Sequence, residues 1–180
     1  MTDPAPTDAT ALATPAPAGW LLVADQGVLD IDPMIEHTGQ VYRYPIGLDD
    51  RAAELGPGQP CFLLRTDRSK VIGLWAVGEV VGPSAPLDGG DDADGPRWCA
   101  EVELLPLEKP IARTKLVVDA VLAASPVADA TFADSPAPLD RRQVRALESF
   151  DFWMVDPRPD QQEALDALLD AEADAEADAG

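Results

Sequence analysis

Residues 61–81 read CFLLRTDRSKVIGLWAVGEVV, and this stretch decides the fold. Cys61–Arg65 is an apolar run of strand length, Thr66-Asp67-Arg68-Ser69 is a polar turn, and Val71–Val81 is a second, longer apolar run. Two such runs about a short turn predict a β-hairpin. Gly73 and Gly78 interrupt the second run, and a glycine inside a strand marks a bulge or the close approach of another backbone.

The elements on either side extend a sheet. Upstream, Trp20–Ala24 predicts a short buried strand. Gln40–Tyr44 sets Val41 and Arg43 against Tyr42 and Tyr44, so both tyrosines share one side of an extended segment that Pro45 is expected to end. Asp30 and Asp32 are placed to cap a short helix with Pro33 at its start, and Asp49–Leu55 predicts a turn or two of helix stopped by Gly56-Pro57-Gly58. Downstream, Arg97–Leu105 alternates, with Trp98, Ala100, Val102 and Leu104 on its apolar face. A helix is predicted over Ala112–Ala124, with Leu116, Val117, Ala120 and Val121 on one side. A second, N-capped by Asp140, turns Val144, Leu147 and Phe150 inward. Together these predict an α+β domain over residues 19–156, built on a curled antiparallel sheet or small β-barrel flanked by short helices.

Residues 1–18 are almost entirely Ala, Pro, Thr and Asp and read as a disordered tail. Residues 157–180 form an acidic tail, with Leu165, Leu168 and Leu169 spaced for a short amphipathic helix. Over the 180 residues, 13 Lys and Arg face 33 Asp and Glu, a net charge of −20, of which residues 19–156 carry −11. That field excludes a broadly basic nucleic-acid binder but not a reader with a small footprint. No apolar run reaches the roughly 18 residues that a membrane span needs, so no membrane association is expected. The first basic residue is Arg43, which argues against a secretory or mitochondrial leader and for a cytoplasmic protein.

Chemistry-bearing motifs are few. Cys61 and Cys99 lie in apolar runs and read as buried free thiols. His37 is the single histidine and has no ligand set around it, so no zinc or other metal site is expected. The acidic loop around DGGDDADG (residues 88–95) lacks the closing Glu of a calcium-binding EF-hand. No phosphate-binding glycine loop, GxSxG or HExxH occurs, so neither an enzyme nor a bound cofactor is expected.

Five stretches, taken in order, resemble the EVE domain of the PUA-like superfamily, which also contains the YTH domains. They are Gly19-Trp20-Leu21-Leu22-Val23, Leu55-Gly56-Pro57-Gly58-Gln59, the hairpin Phe62–Arg65 with Val71–Val80, Trp98–Leu107 followed by Pro110-Ile111, and Ser135-Pro136 through Leu147. Gln59 stands where the family's turn usually ends in Asp. Tyr42 or Tyr44 stands where the family carries a loop tryptophan. The resemblance implies a non-catalytic pocket that holds a modified base or nucleotide of DNA or RNA between aromatic rings. In that pocket Tyr42 and Tyr44 stack on the base. Asp25, which follows the first strand as the edge-reading position does in YTH relatives, and backbone near Ala24 read its edge. Trp75, flanked by Gly73 and Ala76, reads as either core or pocket wall. Arg43, Arg65, Arg68 and Lys70 are the phosphate candidates. Trp20 and Trp98 read as core, and Phe150, Phe152 and Trp153 as a patch that closes the barrel. The rival expectation is a protein-interaction module that uses the acidic surface and tails to hold a protein partner.

Overall fold

The computed structural model describes residues 16–33, 40–46, 53–67, 70–86, 98–150 and 152. Six strands form one sheet: β1 (Gly19–Ala24), β2 (Val41–Ile46), β3 (Pro60–Arg65), β4 (Gly73–Pro86), β5 (Trp98–Ala112) and β6 (Ala137–Leu139). Their order across the sheet is β2-β5-β4-β3-β1-β6. Three short helices follow β5, namely α1 (Arg113–Leu116), α2 (Ala120–Ala123) and α3 (Arg141–Glu148), with a 3-10 turn at Phe132–Asp134. The class is α+β. The expected tails, apart from Ala16, Pro17 and Ala18, lie outside the described residues, as do His37, the acidic loop, Trp153 and most of the helix expected over Asp49–Leu55.

The hairpin at the centre forms as its sequence predicts, with β3 antiparallel to β4 and a register shift between Leu63 and Leu64. Both strand glycines mark close approach. A Cβ on Gly73 would overlap the Ile111 carbonyl oxygen, and one on Gly78 the Glu103 carbonyl oxygen, so β5 could not seat against β4 with any other residue there.

One expectation is corrected: the sheet is mixed, not antiparallel. β1 runs parallel to β3, pairing Trp20 with Cys61 and Ala24 with Arg65, while its other edge pairs antiparallel with β6. β1 is buried along its whole length, as a strand covered on both faces must be. Trp20, Leu22 and Ala24 enter one core cluster with Tyr44, Ile46, Leu63, Val80 and Leu104. Leu21 and Val23 enter another, between the sheet and the helices, with Phe62, Leu64, Leu116, Leu122, Val144 and Leu147.

The sheet is strongly curled. β1 lies four ladder steps from β2, about 19 Å across a flat sheet and far beyond the reach of one side chain. Yet the Tyr44 hydroxyl of β2 donates to the Val23 carbonyl of β1 at 2.7 Å. The first cluster is the interior of that curl.

Boundaries differ from the sequence reading. β4 runs over Gly73–Pro86 and not Val71–Val81, because it pairs with β5 as far as Pro86 and Trp98. Pro45 does not end β2 but pairs with Cys99 inside it. β2 is an edge strand, where the missing N–H removes no second ladder bond. β5 continues to Ala112 because its far half still pairs with Gly73–Ala76. The helix expected over Ala112–Ala124 is two single turns. Asp119 accepts hydrogen bonds from the Val121 and Leu122 amides and so restarts the helix, and the β-branched Val117-Val118 precedes it. Leu116 and Leu122 are buried, whereas Val121 and, above all, Val118 are exposed. The Asp140 cap of α3 forms as expected, with the Gln143 side chain returning a hydrogen bond from the Asp140 amide, and Val144 and Leu147 are buried.

Candidate functional site

The loop after β1, residues 25–33, is braced by side chains from two strands. It opens with a tight turn. The Asp25 carbonyl accepts from the Val28 and Leu29 amides at 2.8 Å, and its carboxylate Oδ1 accepts from the Gly27 amide at 2.9 Å. A second such turn at Asp30 accepts from the Asp32 amide.

Two strands hold this loop. From β3, Arg65 donates through Nη1 to Asp32 Oδ1 at 2.7 Å, through Nη2 to Gln26 Oε1 at 2.8 Å, and through Nε to Asp67 Oδ2. From β2, the Tyr42 hydroxyl donates to the Pro33 carbonyl at 3.0 Å. Asp32 and Pro33 are adjacent, so the two clamps meet at one point of the loop. The base of the loop is tied as well, because the Thr66 amide and hydroxyl both donate to the Ala24 carbonyl.

Arg65 is only 1% exposed. Burial alone would lower its pKa, but hydrogen bonds and charge from Asp67 and Asp32 outweigh that and raise it, so the guanidinium stays charged. Its Cζ lies 5.0 Å from the centroid of the Trp75 ring, a cation–π contact, and the Trp75 Nε1 donates to the Val71 carbonyl at 2.7 Å. Trp75 is half-buried, as is Tyr42.

The expected site residues therefore divide. Asp25 opens the loop, Tyr42 bonds its far end at Pro33, and Trp75 is linked to it through Arg65. Tyr44 shares the inward side with Tyr42 but is fully buried, its hydroxyl engaged by Val23 and Ser135. The Ala24 carbonyl is spent on Thr66. Arg65 is a buried clamp whose charge is matched by two carboxylates, a placement that suits a positioning role and not a phosphate contact. Arg43 projects from the other side of β2, 3.9 Å from Glu101, with 72% of its side chain exposed. Lys70 is exposed, and Arg68 lies outside the described residues.

Gln26 was not singled out by the sequence reading, which took Asp32 as a helix-cap candidate and Asp67 as a turn residue and gave neither a place at the site. The one available signal was Asp67 two residues after Arg65, on the same side of an extended chain. Gln59, at the departure from the family's usual Asp, accepts from the Trp20 indole at 2.8 Å and from the Gly56 amide at 2.7 Å, closing the 56–59 turn as a carboxylate would.

Both cysteines are buried and free. Burial first, and the nearby Glu79 charge second, push the Cys61 thiol up from 9.0 to about 12. A thiol whose folded pKa exceeds its unfolded value keeps its proton while the unfolded chain releases one. Stability is therefore complete below pH 9 and falls above it, by about 1.4 kcal/mol per pH unit. Buried Tyr44, also raised by desolvation from 10.0, adds a second such loss above pH 10. Urea titrations from pH 8 to 11 are expected to show this decline, and Cys61→Ala to delay its onset from about pH 9 to about pH 10.

No family model and no curated protein matches the chain. Solved structures do. A crystal structure of a Pseudomonas syringae protein has a TM-score of 0.57 at 14% identity, covering 73% of this chain and 97% of that one. A hypothetical protein of Leishmania major gives 0.56 at 14%, covering 73% and 92%. An NMR structure from Rhodopseudomonas palustris gives 0.52 at 16%, covering 71% and 88%. At these identities the likeness shows a shared fold. Among the described residues no helix is long and apolar enough to cross a membrane.

Proposed function

We propose that this chain is a non-catalytic reader of a modified base or nucleotide in DNA or RNA, an EVE-like module with a PUA-like fold. The observation that carries this reading is the convergence at the post-β1 loop. Two half-buried aromatic rings attend a loop fixed by four side-chain hydrogen bonds from Tyr42, Arg65 and Thr66: Tyr42 bonds the loop itself, and Trp75 stacks on the Arg65 that braces it. A flipped base needs a π-face partner and a fixed polar edge-reader. Rings on strands and a carboxylate on a braced loop supply both without an ordering cost on binding.

In this reading Tyr42 and Trp75 stack on the base and Asp25 reads its edge. Tyr44 and Arg65 hold the two walls, and Lys70 meets flanking phosphate. A dry aromatic site favours a methylated edge by penalising the bare polar one. Support for the family assignment comes from the order of the five quoted stretches and from the curl of the sheet.

The test is calorimetry against modified and unmodified nucleosides and short single strands. One modified base is expected to bind selectively, and Tyr42→Ala with Trp75→Ala to weaken it at least tenfold, since stacking contributes about 1–3 kcal/mol per base. For a strand, affinity falls with rising salt as phosphate contacts are lost. An interaction module working through an apolar protein interface predicts neither result. Unchanged affinity in the double variant sinks the site.

A further inference from the structure

On the helix-covered face of the sheet, away from the post-β1 loop, lies an open groove of about 380 Å³. Phe62, Val77, Leu105 and Phe152 give it an apolar lining, and Glu79, Glu103 and Glu148 also line it. On a chain with 33 acids some groove will be ringed by them by chance. Here, however, each carboxylate stands where it is unfavourable. Glu79 and Glu103 are direct partners across the β4–β5 ladder, where like charges repel. Glu148 is the last residue of α3, at the negative end of the helix dipole. Among the described residues none of the three forms an ion pair. Three local conflicts around one apolar hollow are the pattern expected where function has overridden stability.

We infer that this groove docks an arginine-bearing apolar segment of another protein. Three properties choose that occupant. The lining is apolar and the charge is negative, which matches a side chain with a methylene stem and a cationic head. No group of three or more acidic, His or Cys side chains among the described residues is placed to hold a metal ion, and an extended organic cation suits the apolar lining. The chain's own continuation past Phe152 carries −7 over residues 157–180 and has the wrong sign. This inference does not rest on base recognition, and the two sites fail separately.

The probe is a capped leucine–arginine–leucine tripeptide amide, titrated into the full chain and followed by amide NMR. Saturable binding is expected, with shifts gathered at Phe62, Gly78 and Leu105. The isosteric citrulline peptide should bind at least tenfold more weakly. Glu79→Gln with Glu103→Gln should weaken the arginine peptide at least tenfold and raise the melting temperature at low salt, because it removes the opposed charges. Glu108→Gln with Glu54→Gln removes two acids elsewhere and should change binding less than twofold. Equal weakening by both pairs, equal binding of citrulline, or shifts spread over the acidic surface would overturn the inference. Nucleoside binding is expected to be unchanged in the groove variant.

Discussion

Arg65→Met is expected to cost about 3–5 kcal/mol and to lower the melting temperature by roughly 10–20 °C. The cause lies in what the guanidinium holds. Asp67, with 9% of its side chain exposed, would lose the cation that offsets its burial. Asp32, with 40% of its side chain exposed, can be rehydrated and adds less. Chemical denaturation measures the loss. Because the pair is buried, the loss should persist in 1 M salt, whereas an exposed pair would be screened. Adding Asp67→Asn to Arg65→Met should recover part of the loss, since it removes the charge that faced the guanidinium. A loss below about 1 kcal/mol would place Arg65 among ordinary surface cations. A functional readout accompanies the structural one. Trp75 loses the cation beneath it and the loop loses its β3 clamp, so nucleoside affinity should fall even at temperatures where the variant is folded.

The second large effect is expected at Tyr44. The Val23 amide donates to Ser135 Oγ at 2.8 Å, and the Tyr44 hydroxyl donates to the Val23 carbonyl. With its one proton spent there, Tyr44 takes its 2.8 Å contact to Ser135 as an acceptor. The three groups close a ring. Its logic follows from the length of β6, which pairs with only Gly19, Trp20 and Leu21. Past its end the Val23 backbone has no strand on that edge, and two side chains stand in for the missing ladder. Tyr44→Phe should cost about 1–3 kcal/mol for each buried group left without a partner, here the Val23 carbonyl and the Ser135 hydroxyl. Hydrogen exchange separates the members. The Val23 amide should stay protected in Tyr44→Phe, where Ser135 still accepts, and lose protection in Ser135→Ala. Equal protection in the two variants would contradict the ring.

The sequence carried the hairpin, the opening strand and the α3 cap because each is announced by neighbours within a few residues. Alternation, turn residues and Asp140 suffice for them. It did not carry the parallel β1–β3 pairing, which joins residues about 40 apart and leaves no local mark. The break at Asp119 was present in the sequence but outvoted by helical spacing on either side. At the site, periodicity placed Tyr42 and Tyr44 on one side, and that side is inward for both. Which of the two reaches the rim depends on the curl, a property of all six strands together. Arg65 was legible as a cation, but its burial depends on Asp32 and Asp67 arriving from two loops.

The ring at Val23 also sets the order in which this protein can complete itself. Ser135 lies 112 residues beyond Val23, and Tyr44 lies 91 before Ser135. A nascent chain emerging from the ribosome has its first strand almost at once and the groups that seal it almost last. Until residue 139 is free, β1 has a bare edge and the inner cluster stays open at that seam. Contacts so distant along the chain make for slow closure and a long interval of vulnerability to mispairing. A chain stalled before Ser135 is expected to be a substrate for chaperones, although it already carries every residue of the post-β1 loop.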